Sequence, residues 1–395
     1  MNILFCHDGP LSENKEGKLF TVSYTDDIIK RYLKISTNLK FLIRVETCED
    51  LDQTTGLSEM SLSRKNVIDV PNFKSLKGLL LYSRLAKNII KKAVSQSDFI
   101  IARLPSSIGR IAAEEALRQK KPYLVEVVGH PFDILWFHSL KGKCMAFYES
   151  YKDKFIINNA PFALYVTKQY LQSEYPCKGL TIGTSDTSLQ STSINVLTNR
   201  LNRITKNHSK KIILGTIGSV EVNYKGQKYV IEALNLLNKR GYTNFEYQLV
   251  GGGNPYRLTK LVEKYKLQDQ VIFKGNLAHD KIFEWLDSID IYLQPSMTEG
   301  LPRSVVEAMS RAVPCIVSNC GGNPELIEKS FQFNKTSKQA SQICQILQNI
   351  TTDELQQQAR TNFEKSKSFF KENTDKIRNN FFEKIKDQLD KKQCF

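Results

Sequence analysis

The stretch Pro295-Ser296-Met297-Thr298-Glu299-Gly300-Leu301-Pro302-Arg303-Ser304-Val305-Val306-Glu307-Ala308-Met309 carries two carboxylates, a glycine and a proline where an apolar run gives way to a helical pattern. The apolar segment Ile289 to Gln294 predicts a strand, and the spacing after Pro302 predicts a helix. Pro302 suits the first helical position, where its missing N–H costs nothing, so Glu299-Gly300-Leu301 should stand at a helix N-terminus with free amides. Such a terminus attracts anions. Gly300 allows the close backbone approach that a diphosphate needs. Glu299 on the loop and Glu307 in the helix need not share a face to frame one ligand, and carboxylates accept hydrogen bonds from sugar and ribose hydroxyls. The same two residues also read as a loop acid and a glutamate placed by the helix dipole.

The surrounding motifs fall in a definite order. Gly218 precedes Lys225-Gly226, which opens a helical pattern from Gln227 to Lys239; Leu249-Val250-Gly251-Gly252-Gly253, Gly275 and Ile289-Asp290-Ile291 follow. After Glu299 and Glu307 come an apolar strand, Val313 to Ser318, and the turn Gly321-Gly322-Asn323-Pro324-Glu325. This set, over residues 211 to 330, resembles the signature of glycosyltransferase family 4, the group 1 glycosyltransferases, including those of bacterial capsular and surface polysaccharide assembly. The resemblance implies a GT-B fold, two Rossmann-like domains facing each other across a central cleft. It implies transfer of a sugar from a nucleotide-sugar donor with retention of anomeric configuration. Gly218, Ser219, Lys225, Gly300, Leu301, Arg303 and Glu307 would bind the donor, and Glu299 and Lys225 would act in catalysis. Many relatives carry arginine after the glycine at Gly218, where this chain has Ser219. Lys225 is then the main cation from that region, with Arg303 either contributing or lying on the surface.

In the N-terminal half, Arg103-Leu104-Pro105-Ser106 and Glu126-Val127-Val128-Gly129-His130-Pro131-Phe132-Asp133 are similar to transferases of polysaccharide assembly. His130 follows a buried-looking strand, where an imidazole either serves the structure or bonds the transferred sugar or the acceptor. Gly9 and Gly17 flank the first strand–helix connection and are either turn glycines or points where backbone amides approach the donor phosphates.

These residues need elements to hold them, and short apolar runs alternating with helical patterns predict an α/β fold with parallel sheets in both halves. The candidate strands are Ile3 to Cys6, Leu39 to Val45, Phe99 to Arg103, Tyr123 to Val128 and Phe162 to Thr167 in the first half. Those of the second are Lys211 to Gly218, Glu246 to Gly251, Val271 to Lys274, Ile289 to Gln294 and Val313 to Asn319. A length of 395 residues suits two cores. Gly183 to Lys210, rich in Ser, Thr and Asn, reads as a linker or surface loop. Residues 1–200 are expected to bind the acceptor and 201–365 the nucleotide sugar. Residues 366–395 carry too many phenylalanines to dangle and are expected to form a helical tail packed on the N-terminal domain.

The eight cysteines show no C-x-x-C or zinc-ligand spacing and no signal-peptide pattern precedes them, which predicts reduced thiols in the cytoplasm. No segment has the length of uninterrupted apolar sequence that a transmembrane helix needs. The net charge of +15 attracts nucleic acid, anionic lipid or phosphorylated substrates alike, but no zinc finger or RNP-like aromatic set marks a specific nucleic-acid binder. Between Arg64 and Lys92 many cations interleave with apolar residues and a single acid, Asp69. That stretch is either a lysine-rich domain helix or a contact with the anionic inner leaflet, at about 1 kcal/mol per cation. The only Asp-x-Asp, Asp50-Leu51-Asp52, lies far from the donor motifs, and a lysine with a helix N-terminus can replace a divalent metal, so neither metal nor cofactor is expected. The donor is a nucleotide sugar and the acceptor a glycan or lipid-linked oligosaccharide. The alternatives are a catalytically weak GT-B subunit supporting a partner enzyme and a nucleotide-sugar epimerase.

Overall fold

The computed structural model describes residues 1–21, 26–48, 57–73, 76–138, 140–206 and 211–393. Asp50-Leu51-Asp52, Lys74, Lys210 and Cys394 lie outside the described residues. The chain forms two compact units, one of Met1–Pro131, Phe147–Thr184 and Lys376–Phe395, the other of Phe132–Ala146 and Ser185–Asp375.

The first unit is built on a parallel sheet of β1 (Asn2–Cys6), β2 (Asn38–Ile43), β3 (Val67–Asp69), β4 (Phe99–Leu104), β5 (Tyr123–Val127), β6 (Phe162–Tyr165) and β7 (Leu180–Gly183), in the order β7-β6-β5-β4-β1-β2-β3. The central strands read as near-continuous apolar runs because both faces of a parallel sheet are covered. On one face Ile28, Ile29 and Tyr32 of α1 (Asp26–Leu33) share a core with Phe5, Phe41, Phe99 and Phe162, and Phe381, Phe382, Ile385 and Leu389 belong to that core. The helices α2 (Ser83–Ser95), α3 (Ser107–Arg118) and α4 (Leu140–Asn158) connect the later strands. The connection after β1, read as a direct passage to a helix, instead carries strands Leu11–Glu13 and Leu19–Thr21 of a small four-stranded sheet. Gly17 lies at the turn of that hairpin, its amide donating to the Asn14 carbonyl at 3.0 Å.

The second unit repeats the plan with β8 (Ile212–Ile217), β9 (Phe245–Val250), β10 (Val271–Gly275), β11 (Ile291–Gln294), β12 (Cys315–Ser318) and β13 (Gln332–Phe333), all parallel in the order β10-β9-β8-β11-β12-β13. Part of the expected linker is a helix, α5 (Asn195–Lys206). Its Leu197 and Ile204 pack with Ala312, Ala359 and Phe363, and the buried Arg200 donates to the carbonyls of Leu286 and Ile289. The Asn and Thr that suggested a loop occupy its outer face, and the spacing of Leu197, Arg200 and Ile204 wins.

Cys6, Cys48, Cys144, Cys177, Cys315, Cys320 and Cys344 are free thiols. Among the described residues no helix is long and apolar enough to cross a membrane.

Candidate functional site

In an open parallel sheet, ligands bind beyond the carboxyl ends of the strands where the strand order reverses. In the second unit that point lies between β8 and β11, paired through Leu214 with Ile291 and Gly215 with Tyr292. The segments leaving these two strands carry the motif residues. After β8, a short turn at Asn223–Lys225 leads through Gly226 into α6 (Gln227–Lys239). Gly226 has φ +72°, and a Cβ there would stand 1.9 Å from the Pro295 carbonyl oxygen, so no other residue fits. The Met297 amide donates to the Tyr224 carbonyl at 2.7 Å, which ties the two segments together.

This tie sets Lys225 against Glu299, Nζ to Oε1 at 2.7 Å. The lysine stem passes over Gly218, where a Cβ would lie 3.3 Å from Lys225 Cδ. Glu299 Oε1 also accepts from Gln294 Nε2 at 2.7 Å. Gln294 is fully buried and is fixed from the other side, its Oε1 accepting from the Tyr292 hydroxyl at 2.8 Å and from Ser304 Oγ at 3.3 Å. The Tyr292 oxygen in turn accepts from the Ile217 amide at 3.2 Å. Behind the loop, Gly321 (φ +55°) leaves no room for a side chain, since a Cβ would meet the Glu299 carbonyl oxygen at 2.1 Å, and the Gly322 amide donates to Gly300 O at 2.7 Å. The Gly-Gly turn is therefore a buttress for the acidic loop.

The helix α7 (Arg303–Ser310) opens after this loop, with Pro302 as its cap residue rather than its first residue, one position later than expected. Pro302 offers no side-chain cap to the first-turn amides. Arg303 is exposed and Leu301 packs against the core. Glu307, half-buried on the second turn, has its carboxyl raised above the ordinary value by burial, with Arg303 and His279 pulling the other way. For Lys225 burial works to lower the amine, but the ion pair and hydrogen bond with Glu299 outweigh it, and the net shift is upward. Ser219 accepts a 3.4 Å bond from the Glu221 amide, and its carbonyl accepts from Gln227 Nε2 at 2.9 Å.

The structure thus brings Gly218, Ser219, Lys225, Glu299 and Gly300 together, with Arg303 and Glu307 on the helix that follows. His130, Gly9 and Gly17 belong to the first unit. His130 is buried, its ring stacked on Tyr170 at 5.8 Å and edge-on to Tyr175 at 5.1 Å, with Glu174 at 3.9 Å from Nε2. The Gly9 amide donates to His7 Nδ1 at 2.9 Å, and Gly17 has open space around it. Arg103 and Glu126 face each other on β4 and β5 as a buried ion pair at 3.0 Å, while Ser106 caps α3 by accepting from the Gly109 amide. Sequence reasoning missed Gln294, Tyr292 and Ser304. A glutamine closing an otherwise apolar buried strand was the available signal for the first.

The family model for glycosyl transferases group 1 matches residues 199–367. The chain is 34% identical over 339 residues to Protein CapJ of Staphylococcus aureus, covering 84% of this chain and 82% of that protein. It is 36% identical over 112 residues to the putative colanic acid biosynthesis glycosyltransferase WcaL of Escherichia coli, 26% of this chain and 27% of WcaL. Among solved structures, Anabaena HepE in complex with UDP and glucose superposes with a TM-score of 0.61 at 17% identity over 99% of both chains. The lipopolysaccharide outer core galactosyltransferase WaaB superposes with a TM-score of 0.59 at 14% identity, over 96% of this chain and 99% of that one. At such identities the likeness shows the fold, which is GT-B with two Rossmann-like sheets.

Proposed function

The chain belongs to the group 1 glycosyl transferases, and from that premise we propose that it is a retaining family 4 enzyme of surface polysaccharide assembly, transferring a sugar from a nucleotide-sugar donor to a glycan or lipid-linked oligosaccharide. The observation that carries the reading is the Lys225–Glu299 pair at the switch point of the second sheet. A charged lysine beside a helix N-terminus suits a departing diphosphate, and a carboxylate beside it suits sugar hydroxyls. The likeness to HepE, solved with UDP and glucose, supports the donor class, and that to WcaL, named for colanic acid biosynthesis, supports the pathway class.

In this reading the donor diphosphate takes Lys225 from Glu299, and Glu299 turns to the donor sugar. Glu307 accepts from ribose hydroxyls. The bond from the anomeric carbon to the diphosphate oxygen breaks with its electron pair passing to that oxygen, which Lys225 and the loop amides stabilise. The acceptor oxygen bonds the anomeric carbon on the same face and gives its proton to the departing phosphate oxygen. Lys225 supplies the charge a metal would otherwise bring, so chelators should leave the rate unchanged. His130 orients the acceptor on the first unit.

The test is a thermal-shift and turnover screen of the purified chain against nucleotide sugars, with Lys225→Ala and Glu307→Ala alongside. One nucleotide should stabilise the wild type and neither variant, and the product should keep the donor's anomeric configuration by NMR. Stabilisation by no nucleotide, or an inverted product, overturns the reading.

A further inference from the structure

The helix Pro131–His138 is apolar nearly all round, the pattern of a helix buried on every side. It is not so buried: Ile134 is exposed, and Phe132, Trp136 and Phe137 are half-buried. Phe132 and Trp136, about one turn apart, stack at 5.3 Å with 19° between their planes, which joins two rings into one apolar surface. Charged groups accompany the rings. Lys143 Nζ lies 5.4 Å over the Trp136 ring and Lys335 Nζ 5.3 Å over the Phe137 ring, and the same Lys335 Nζ is 3.6 Å from Asp133 Oδ2.

The place of this helix in the fold gives the surface its meaning. Phe132–Ala146 comes from the half of the sequence expected to bind the acceptor, yet it is part of the second unit, which carries Lys225 and Glu299. Beyond the carboxyl ends of the second sheet, taken in the strand order β10-β9-β8-β11-β12-β13, the polar side chains fall in a row. His279, opening the helix after β10, acts electrostatically on Glu307; Lys225 after β8 meets Glu299 after β11; Cys320 follows β12 and Lys335 follows β13. The Cys320 thiol, raised mainly by burial, feels Glu299 as well as Lys335 and Asp133, so the Asp133–Lys335 pair stands next in the row beyond Glu299. A donor with its ribose at Glu307, its diphosphate at Lys225 and its sugar at Glu299 runs along this row and leaves the β12–β13 end to the molecule that receives the sugar.

A pyranose ring has an apolar C–H face and a girdle of hydroxyls, so it asks for aromatic surface beside a few charged hydrogen-bonding groups. We propose that the helix Pro131–His138 and Lys335 form a subsite for a pyranose residue of the acceptor glycan, its C–H face against the Phe132 and Trp136 rings and its hydroxyls bonded by the Asp133 carboxylate and the Lys335 ammonium. Each hydroxyl both donates and accepts, and the pair answers both needs: the carboxylate accepts and the ammonium donates. With side chains 15% and 30% exposed, Asp133 and Lys335 are sheltered enough for such bonds to outweigh those made in water, and still within reach of a ligand. The inference rests on the transferase reading and adds to it what holds the acceptor on the second unit.

The test uses the emission of Trp136, one of two tryptophans, the other being Trp285 in the core of the second unit. The full chain, saturated with the nucleoside diphosphate that stabilises it, is titrated with the methyl pyranosides of glucose, galactose, N-acetylglucosamine and glucuronic acid. At least one should quench or shift the emission of the wild type and leave that of Trp136→Phe unchanged. Saturation-transfer NMR with the same glycoside should keep its signal in Trp136→Phe, which retains a ring, and lose it in Trp136→Ala. Asp133→Asn should weaken glycoside binding by roughly tenfold while calorimetric titration gives the wild-type affinity for the nucleotide. A nucleotide that binds without any glycoside response, glycoside binding unchanged in Asp133→Asn and Trp136→Ala, or equal losses of glycoside and nucleotide binding in these variants, each overturns the subsite alone. Failure of every nucleotide to bind overturns the transferase reading, and the subsite falls with it.

Discussion

Between β1 and β4 of the first sheet, Asp8 reaches the start of α3, its two carboxylate oxygens accepting from the Ser107 and Ile108 amides at 2.6 and 2.7 Å. Between β8 and β11 of the second sheet, α7 opens behind a proline without a side-chain cap, next to Lys225 and Glu299. Both places are switch points of parallel sheets, where helix N-termini gather and anions are favoured. The first unit fills its anion position with its own carboxylate. The second carries a cation there, held in waiting by an acid that sugar hydroxyls can satisfy instead. A shared topology therefore gives one structural joint and, under the proposed function, one donor site, and the residue type in the loop after the first strand of each sheet makes the difference.

The sharpest way to break this comparison is to remove the two charges at the second point. Lys225→Met and Glu299→Gln should each lower kcat/KM for sugar transfer by roughly 10²- to 10³-fold, about 3–4 kcal/mol, because each acts where charge develops on the leaving group or donor sugar. The double variant should lose far less than the sum, since the two side chains act as a unit. Thermal melts of the same set should show either single variant less stable than the double, because one buried charge is left unpaired. Additive kinetic losses would mean that the pair does not act together.

Buried charges differ between the units as well. Among the described residues Lys225 has one ion-pair partner, Glu299, whereas Arg110 interacts with Glu114, Glu149 and Asp153. With acids in excess, Asp153 is pushed up to about 7, burial being the main cause and Arg110 opposing it. A carboxyl raised in the folded state holds its proton longer there than in the unfolded chain, so the contribution of Asp153 to stability is full at low pH and is lost as pH rises from the ordinary carboxylate range to about 7. Asp153→Asn should flatten that profile and make the protein more stable than the wild type above neutrality, by on the order of 2 kcal/mol, as read by urea melts across pH. Parallel profiles would show that Asp153 is ionised in the fold.

Removing the first unit's anion should be milder and purely structural. Asp8→Ala is expected to cost about 1–2 kcal/mol by exposing two amides of α3, while nucleotide affinity stays at the wild-type value. Calorimetric titration with the stabilising nucleotide decides this, and lost affinity would place Asp8 in the donor site and erase the contrast.

How far the sequence discloses this contrast depends on where the physics is local. The central strands were legible because a parallel sheet covered on both faces demands near-continuous apolar runs, as in Phe99 to Ala102. The strands β3, β7 and β13 were not, since each is a short edge strand whose pairing is set by its neighbour rather than its own composition. The loop from Glu299 to Pro302 was legible through its glycine, proline and acids. The Tyr292–Gln294–Ser304 network that fixes Glu299 was not, because its members converge through tertiary packing. Asp8 was hidden for the same reason, being almost a hundred residues from the amides it binds.

The smallest expected effect sharpens the comparison most, because it adds charge to the donor site instead of removing it. The family resemblance implies an arginine after Gly218 where this chain has Ser219, so Ser219→Arg should bring a second cation to the diphosphate and tighten binding of the nucleoside diphosphate by roughly fivefold at low salt, about 1 kcal/mol, with the gain fading as salt rises. One neighbour can defeat it. Glu221 crowds the same turn, its Oε2 3.1 Å from where a Cβ on Gly253 would stand, and a guanidinium at position 219 can pair with it rather than with phosphate. Ser219→Arg combined with Glu221→Gln removes that competitor. A gain in the double variant alone would show that the cation faces the donor but is neutralised by Glu221; no gain in either would show that Lys225 and the α7 terminus already supply all the charge that the phosphates meet.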